Sequence, residues 1–334
     1  MNTASIITGL AHDCQLVVLD TTTSTSDELR ARMGERAVAH RCPLVVVSMR
    51  QTAGRGRLGR HWASPDGGIY LSLSFAPAPS APPSAAQPGD ECQEMRSPDT
   101  RPPDARSLDT SLDTHGARSP DTPPVTLHSL SHVPLSHAPG APDYSVLPLI
   151  TALGVREALA VFSPPEVGIK WPNDVLCAAG KLGGILVEGT QEAYVVGVGV
   201  NVNRPDEGAF EGAAYLNDMC ADSKEALSDV NNQGFRSTQT LELEPVVAAL
   251  INNILARFKL WGERGYDFTQ FATEYRRHLL LIGEEVTLRT ALGQEIATGT
   301  IEGVNDKGQL LLATQSGQTA VAVGEVTLRN PMER

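Results

Sequence analysis

Three arginines, Arg55, Arg57 and Arg60, alternate with Gly54, Gly56 and Gly59 in the stretch QTAGRGRLGRHWASPDGGIYLSLS at 51–74. Guanidinium forks pair bidentately with phosphate or carboxylate, and glycine lets the backbone fold around what they grip. Trp62 follows directly, and an indole stacks on a flat heterocycle. Phosphate together with a planar base suggests a nucleotide. A second group is Lys170, Trp171, Pro172, Asn173 and Asp174, with Lys181, Gly183 and Gly184 just beyond. A lysine at a strand end before a rigid proline turn fixes an ammonium charge at one point. Gly183 and Gly184 permit a ligand to approach the backbone, although a β-bulge needs them equally. Gly197, Gly199, Asn201 and Asn203 form a third group in a run otherwise made of valine, where the Asn201 amide offers donor and acceptor together.

These groups need a scaffold, and the pattern supplies strands on both sides of the arginine loop. Residues 43–49 (PLVVVSM) read as a buried strand and 69–75 (IYLSLSF) alternate as a half-exposed one. A short strand at 15–19 leads through Thr23, Ser24, Thr25 and Ser26 into a helix, with Ser26 as its cap and Asp27 and Glu28 in its first turn. Apolar spacing predicts helices over 147–162, 244–262 and 267–278, with Pro245 in the first turn of the second. Strands are expected over 167–171, 175–177, 183–188 and 194–202. From 285 onward the chain turns to short strands separated by Gly and Asn-Asp turns, which read as a small separate β barrel. Residues 76–143 break the pattern, being rich in Pro, Ser, Ala and Asp and carrying the degenerate repeat RSPDT, RPPDA, RSLDT. Such a composition buries too little apolar surface to offset the entropy of ordering, so a disordered insertion is expected there. The stretch 222–240 reads as a polar connection.

Net charge is −12 and the pI about 5.1, which argues against a general affinity for nucleic acid and makes a basic loop a local device for a small anion. Five scattered cysteines without a C-x-x-C pair fit reduced thiols rather than a metal site. The N-terminal residues lack the basic flank and apolar core of a secretory signal, and no apolar run reaches membrane-spanning length, so the cytoplasm is expected.

Taken together, GRGRLGRHWASPDGGIYLS, KWPND with KLGGILVE, and GVGVNVN resemble the three ordered motifs of the biotin protein ligases, also called biotin-[acetyl-CoA-carboxylase] ligases. The resemblance runs over nearly the whole chain outside 76–143 and 222–240. It implies an α+β fold, a class II synthetase-like catalytic domain at 1–280 with a mixed sheet flanked by helices, and an SH3-like barrel at 281–334. It further implies ATP-dependent formation of biotinyl-5'-AMP and transfer of biotin to a lysine of a carboxyl carrier protein, with Mg2+ accompanying ATP. By the family's pattern Arg55, Arg57 and Lys170 are catalytic. Ser24, Thr25, Ser26, Gln51, Gly56, Gly183 and Gly184, with the same three cations, bind biotin. Arg60, Trp62, Asn173, Lys181 and Asn201, with Arg55 and Arg57, bind ATP or the adenylate. The family usually reads Asp-Ser-Thr-Asn where this chain has Thr23, Ser24, Thr25, Ser26. Fewer than about 15 residues precede the first strand, too few for the winged helix that many relatives carry, so operator DNA is not an expected partner. Neither is a membrane, while a homodimer is left open. The rivals are a lipoate or octanoyl ligase of the same fold and a biotin sensor that binds without catalysis.

Overall fold

Val45, Val46 and Val47 are fully buried although their side chains alternate between two faces, so the strand holding them, β2 (Leu44–Gln51), is covered on both sides. The computed structural model describes residues 1–35, 42–76, 143–162, 167–190, 193–206, 209–220, 240–290, 292–322 and 324–328. The expectations for the insertion at 76–143 and for the connection at 222–240 lie, apart from Ala76, Asp143 and Thr240, outside the described residues.

β2 pairs in parallel with β1 (Gln15–Thr22) and antiparallel with β3 (Gly68–Phe75). The sheet continues through β7 (Tyr194–Asn201), β6 (Gly180–Gly189), β5 (Asp174–Cys177) and β4 (Gly168–Lys170), in the order β1-β2-β3-β7-β6-β5-β4. One face is a continuous apolar surface of Val45, Val47, Leu71, Leu73, Val196 and Val198 packed with the helices α3 (Leu147–Ala160) and α4 (Leu243–Glu263). Each such side chain, fully buried, contributes on the order of 1.5–3 kcal/mol. On the other face Leu44, Val46 and Val195 pack against Leu29 and Met33 of α2 (Thr25–Glu35). Farther along that second face the residues become small, and the site begins there.

The sequence pattern is corrected in four places. β3 is buried along its whole length, not half-exposed, because it lies mid-sheet between β2 and β7. Parallel pairing with β2 carries β1 on to Thr22, past the five-residue run at 15–19 that suggested it. α2 starts at Thr25, so Ser26 stands in its first turn rather than at its cap, and the Ser24 carbonyl accepts the first helical bond from Glu28 N at 3.0 Å. A short helix, α1 (Thr3–Thr8), capped by the Asn2 side chain, precedes β1 and had no periodic signal.

After α5 (Thr269–His278) the chain enters a five-stranded antiparallel sheet. Its strands are β8 (Glu285–Arg289), β9 (Glu295–Val304), β10 (Leu310–Thr314), β11 (Gly317–Val321) and β12 (Glu325–Leu328), in the order β11-β10-β9-β8-β12. Between β11 and β12 stands Gly324, whose φ is 142°. Trp171 Nε1 donates to Gly308 O at 3.0 Å, and Arg276 bonds Val304 O at 2.6 Å, so this sheet is hydrogen-bonded to the elements that carry the KWPND turn.

The described ends of the insertion meet in an aromatic cluster. Phe75 stacks on Trp261 with centroids 5.7 Å apart and meets Tyr144 edge-on at 5.9 Å. The arginine loop joins β3 at its other end, at Gly68, about 23 Å away for an eight-residue strand. Replacing 77–142 with a short Gly-Ser linker is therefore expected to shift Tm by less than about 4 °C and leave turnover within about twofold. A large loss of turnover at unchanged Tm would place the insertion in the catalytic cycle.

No described helix is long and apolar enough to cross a membrane. The four described cysteines are free thiols, and burial pushes that of Cys14 up to about 11, which keeps it protonated and unreactive.

Candidate active site

The second face of the central sheet is paved with residues that have little or no side chain. Ser72 on β3 pairs with Gly197 on β7, and Gly199 lies between Tyr70 on β3 and Gly184 on β6. These glycines make room for Trp62. A Cβ at Gly199 would stand 2.7 Å from the indole Nε1, and one at Gly184 2.9 Å from the ring. Trp62 Nε1 is buried with no hydrogen-bond partner among the described residues. The Trp261 Nε1 and the Tyr275 hydroxyl are buried in the same way without a partner among the described residues.

At one end of the floor stand the hydroxyls of the β1–α2 junction. Ser24, Thr25 and Ser26 are all more than nine-tenths buried. Thr25 Oγ1 and Ser26 Oγ lie 2.9 and 3.0 Å from Ser72 Oγ, and Thr25 N donates to Gln51 Oε1 at 2.9 Å. At the other end is a cavity of about 270 Å³ lined by Arg57, Arg60, Trp62, Lys170, Lys181 and Gly184. Lys181 Nζ sits 2.7 Å from Asp174 Oδ1 and 5.0 Å from the centroid of the Trp62 ring. Lys170 also reaches the cavity, and no ion pair engages its ammonium among the described residues. Buried beneath, the Tyr275 hydroxyl is held neutral, pushed far above its ordinary pKa by burial and secondarily by Asp174.

The loop over the floor is closed by its own backbone. Trp62 N donates to Gly54 O at 2.9 Å, and Gly56 N to Arg60 O at 2.7 Å. Its two leading arginines serve different ends. Arg57 donates to Asn173 Oδ1 at 2.8 Å and to Gly324 O at 3.2 Å, which ties the loop to the KWPND turn and the C-terminal sheet. Asn173 is itself fixed, since its Nδ2 donates to Ile185 O at 2.9 Å. Arg55 instead lies 2.7 Å from Asp27 and 3.4 Å from Glu188, and Arg30 shares both carboxylates at 2.8 and 2.5 Å. Two guanidinium and two carboxylate groups thus form a neutral, partly exposed square that anchors the loop to α2 and β6.

Residues 19–87 match the Biotin/lipoate A/B protein ligase family, and residues 281–329 match the biotin protein ligase C terminal domain. Among curated relatives, the biotin-[acetyl-CoA-carboxylase] ligase of Mycobacterium tuberculosis is 29% identical over 93% of this chain and 88% of its own length. The enzyme of the same name from Paracoccus denitrificans is 28% identical over 56% of this chain and 74% of its own. The chain is similar to biotin protein ligases over nearly its whole length. The biotin protein ligase from Aquifex aeolicus, solved in complex with biotin and ATP, shares the fold at a TM-score of 0.61, with 24% identity over 95% of this chain and 99% of that one.

Within this biotin protein ligase fold, Arg55, Gly56, Arg57, Arg60, Trp62, Lys170, Asn173, Lys181 and Gly184 come together around the cavity. Ser24, Thr25, Ser26 and Gln51 gather at the far end of the floor instead. Asn201 uses its Nδ2 on Lys181 O at 3.0 Å, bracing the strand that carries that lysine. Gly183 does not face the floor: a Cβ there would meet Gly199 O at 2.9 Å and then Val200. Sequence reasoning passed over Ser64 and Ser72, the carboxylates Asp27 and Glu188, and the carbonyl of Gly324. The serines alternate with leucines in IYLSLSF, a spacing that does mark one face as polar. The Gly324 carbonyl had no signal, because backbone groups are the same at every residue.

Proposed function

We propose that the protein catalyses the ATP-dependent biotinylation of a lysine on a carboxyl carrier protein of the acetyl-CoA carboxylase type, through biotinyl-5'-AMP. The observation that carries this reading is a single sheet face with a cluster of buried hydroxyls at one end and a cluster of cations at the other, Trp62 being seated on Gly184 and Gly199 between them. Biotin presents two matching ends, a hydrogen-bonding ureido ring and a carboxylate. The names of the relatives, biotin-[acetyl-CoA-carboxylase] ligases, support the same activity.

In the first step a biotin carboxylate oxygen attacks the α-phosphorus of ATP, the bond to the bridging oxygen breaks, and pyrophosphate leaves. Both reactants are anions, so the protein's task is to hold them together and neutralise the charge that gathers on phosphorus. Arg57 and Lys170 serve this in the proposal, with Lys181 placed beside them by Asp174. Trp62, whose orphaned Nε1 and ring face the floor, takes the adenine, and Arg60 lies at the phosphate side. In the second step the carrier lysine attacks the acyl carbon, AMP leaves with the bonding pair, and the amine proton passes to solvent. Magnesium would be held by the nucleotide's phosphates and would offset their charge, since the carboxylate in the cavity, Asp174, is already paired with Lys181. An acidic carrier domain suits the cations that line the cavity.

Purified protein given ATP, magnesium, biotin and a carrier domain is expected to produce a carrier heavier by one biotinyl group in intact-mass measurement. Failure to form either biotinyl-AMP or labelled carrier would sink the reading. The family match also names lipoate, whose dithiolane ring offers no N–H to the hydroxyls at 24–26. Biotin is accordingly expected to outcompete lipoate in a direct competition assay. Replacing Arg57 with Gly removes the bonds to Asn173 and Gly324 that hold the loop down. Biotinyl-AMP is then expected to escape and label bystander lysines at least about tenfold more than in wild type, since charge-assisted bonds of this kind are worth about 1.5–3 kcal/mol each. Unchanged retention of the intermediate would contradict the role given to Arg57.

A further inference from the structure

A single hydrogen-bonded chain runs from the hydroxyl cluster to the loop that carries Trp62. Ser26 Oγ lies 3.0 Å from Ser72 Oγ, and Ser72 Oγ 2.9 Å from Thr25 Oγ1. Thr25 Oγ1 reaches Gln51 Oε1 at 3.2 Å, Gln51 Nε2 donates to Ser64 Oγ at 3.0 Å, and Ser64 Oγ donates to the Trp62 carbonyl at 3.1 Å. Ser26, Ser72, Thr25 and Ser64 are each more than nine-tenths buried. Position 54 is glycine where the chain passes, for a Cβ there would stand 2.6 Å from Ser64 Oγ and 2.9 Å from Gln51 Nε2.

Two groups that have no choice orient the Gln51–Ser64 part of this chain, and the Thr25 hydroxyl, donating to Gln51 Oε1, sets the direction of the rest. Thr25 N–H can only donate, so the Gln51 atom it meets at 2.9 Å is the carbonyl oxygen and the amide nitrogen points to Ser64. The Trp62 carbonyl can only accept, so Ser64 gives its proton there. Thr25 Oγ1 must give its one proton to Gln51 Oε1, which obliges Ser72 to donate to Thr25 and Ser26 to donate to Ser72. Ser26 is left with lone pairs alone for any ligand.

We propose that Ser64 and Ser72 are positioning residues for the adenylation step: they lock the arginine loop to the hydroxyl cluster and make Ser26 a hydrogen-bond acceptor that selects a ligand N–H. The choice of a ureido ring as that ligand rests on the function proposed above; the locking does not. Filling the Ser26 end by a ureido N–H strengthens a chain whose other end is the backbone of Trp62, so occupation of one end of the floor steadies the other.

Hydrogen exchange followed by mass spectrometry on ligand-free Ser64→Ala and Ser72→Ala tests the lock without reference to any activity. Amides in peptides spanning 54–64 are expected to exchange about tenfold faster in both variants while the α3 and α4 peptides keep wild-type protection. Faster exchange in Ser64→Ala alone would overturn the chain, because Ser72 reaches the loop only through Thr25 and Gln51. Steady-state kinetics then read the ligand side. Ser72→Ala is expected to raise the KM for biotin about tenfold with kcat within about threefold, and to narrow the wild-type preference for biotin over biotin methylated on a ureido nitrogen. An unchanged preference would overturn the assignment of Ser26 as acceptor. Faster exchange in both variants, with a wild-type protein that makes no biotinyl-AMP, would defeat the proposed function and leave the lock standing.

Discussion

Replacing Lys170 with alanine is expected to slow formation of biotinyl-AMP by about 10²–10³-fold, the usual cost of deleting one preorganised charge aimed at a transition state. Biotin binding should weaken far less, by about threefold. The asymmetry follows from how the two lysines of the cavity are held. Lys181 has Asp174 at 2.7 Å and the Trp62 ring 5.0 Å away, so its charge is partly satisfied before any ligand arrives. Lys170 stands at the end of β4, lines the same cavity and has no carboxylate in reach among the described residues. In the proposed reaction its charge meets, with that of Arg57, the extra negative charge that builds on phosphorus as pyrophosphate departs. ATP–pyrophosphate exchange measures the first effect and calorimetric titration with biotin the second. Equal losses in both would show Lys170 to be a binding group only.

Replacing Gly54 with alanine is expected to lower turnover about 10²-fold while Tm moves by less than about 4 °C. The added Cβ would stand 2.5 Å from the Trp62 carbonyl oxygen, closer than real Cβ contacts allow, and that oxygen belongs to backbone. A side chain could swing aside, but here the loop itself must open and break the bond from Trp62 N to Gly54 O. Trp62 then leaves the glycine floor and Arg57 loses its approach to Asn173. The loop packs on the sheet's polar face, away from the α3 and α4 core, so global stability has little to lose. Neighbouring Gly59 is a useful contrast: nothing lies within 4 Å of its Cβ position, but its φ of 73° is strained for other residues. Alanine there should cost about 1 kcal/mol of local strain and much less activity. Wild-type turnover in Gly54→Ala would show the observed closure to be irrelevant to catalysis.

The square of Asp27, Arg30, Arg55 and Glu188 shows how far residue type can lead and where it stops. The alternation of glycine and arginine marks an anion-gripping loop, and Arg57 in the structure does reach toward the cavity. Arg55 has the same chemistry and lies two residues away, yet it is neutralised by carboxylates from α2 and β6 that are 28 and 133 residues distant in sequence. Exposed ion pairs are individually weak, so the square acts as a clasp by number and by geometry rather than by depth.

Local sequence was enough to determine the two chemical ends of the site, because arginine, lysine and clustered hydroxyls announce themselves by type, and valine runs broken by glycine announce strands. It was also enough to resemble a family whose match at 19–87 and 281–329 the whole-chain comparisons bear out. Only the tertiary structure decided which face each residue took. That β3 is buried throughout depends on its mid-sheet place between β2 and β7, which no periodicity within eight residues can encode. That Gly183 turns from the floor while Gly184 lines it depends on register, where a shift of one residue exchanges the faces. The hydrogen-bonded chain from Ser26 to Trp62 draws on α2, β2, β3 and the arginine loop at once. Its orientation at Gln51 and Ser64 is set by a backbone N–H and a backbone carbonyl, groups that only the folded chain puts in place.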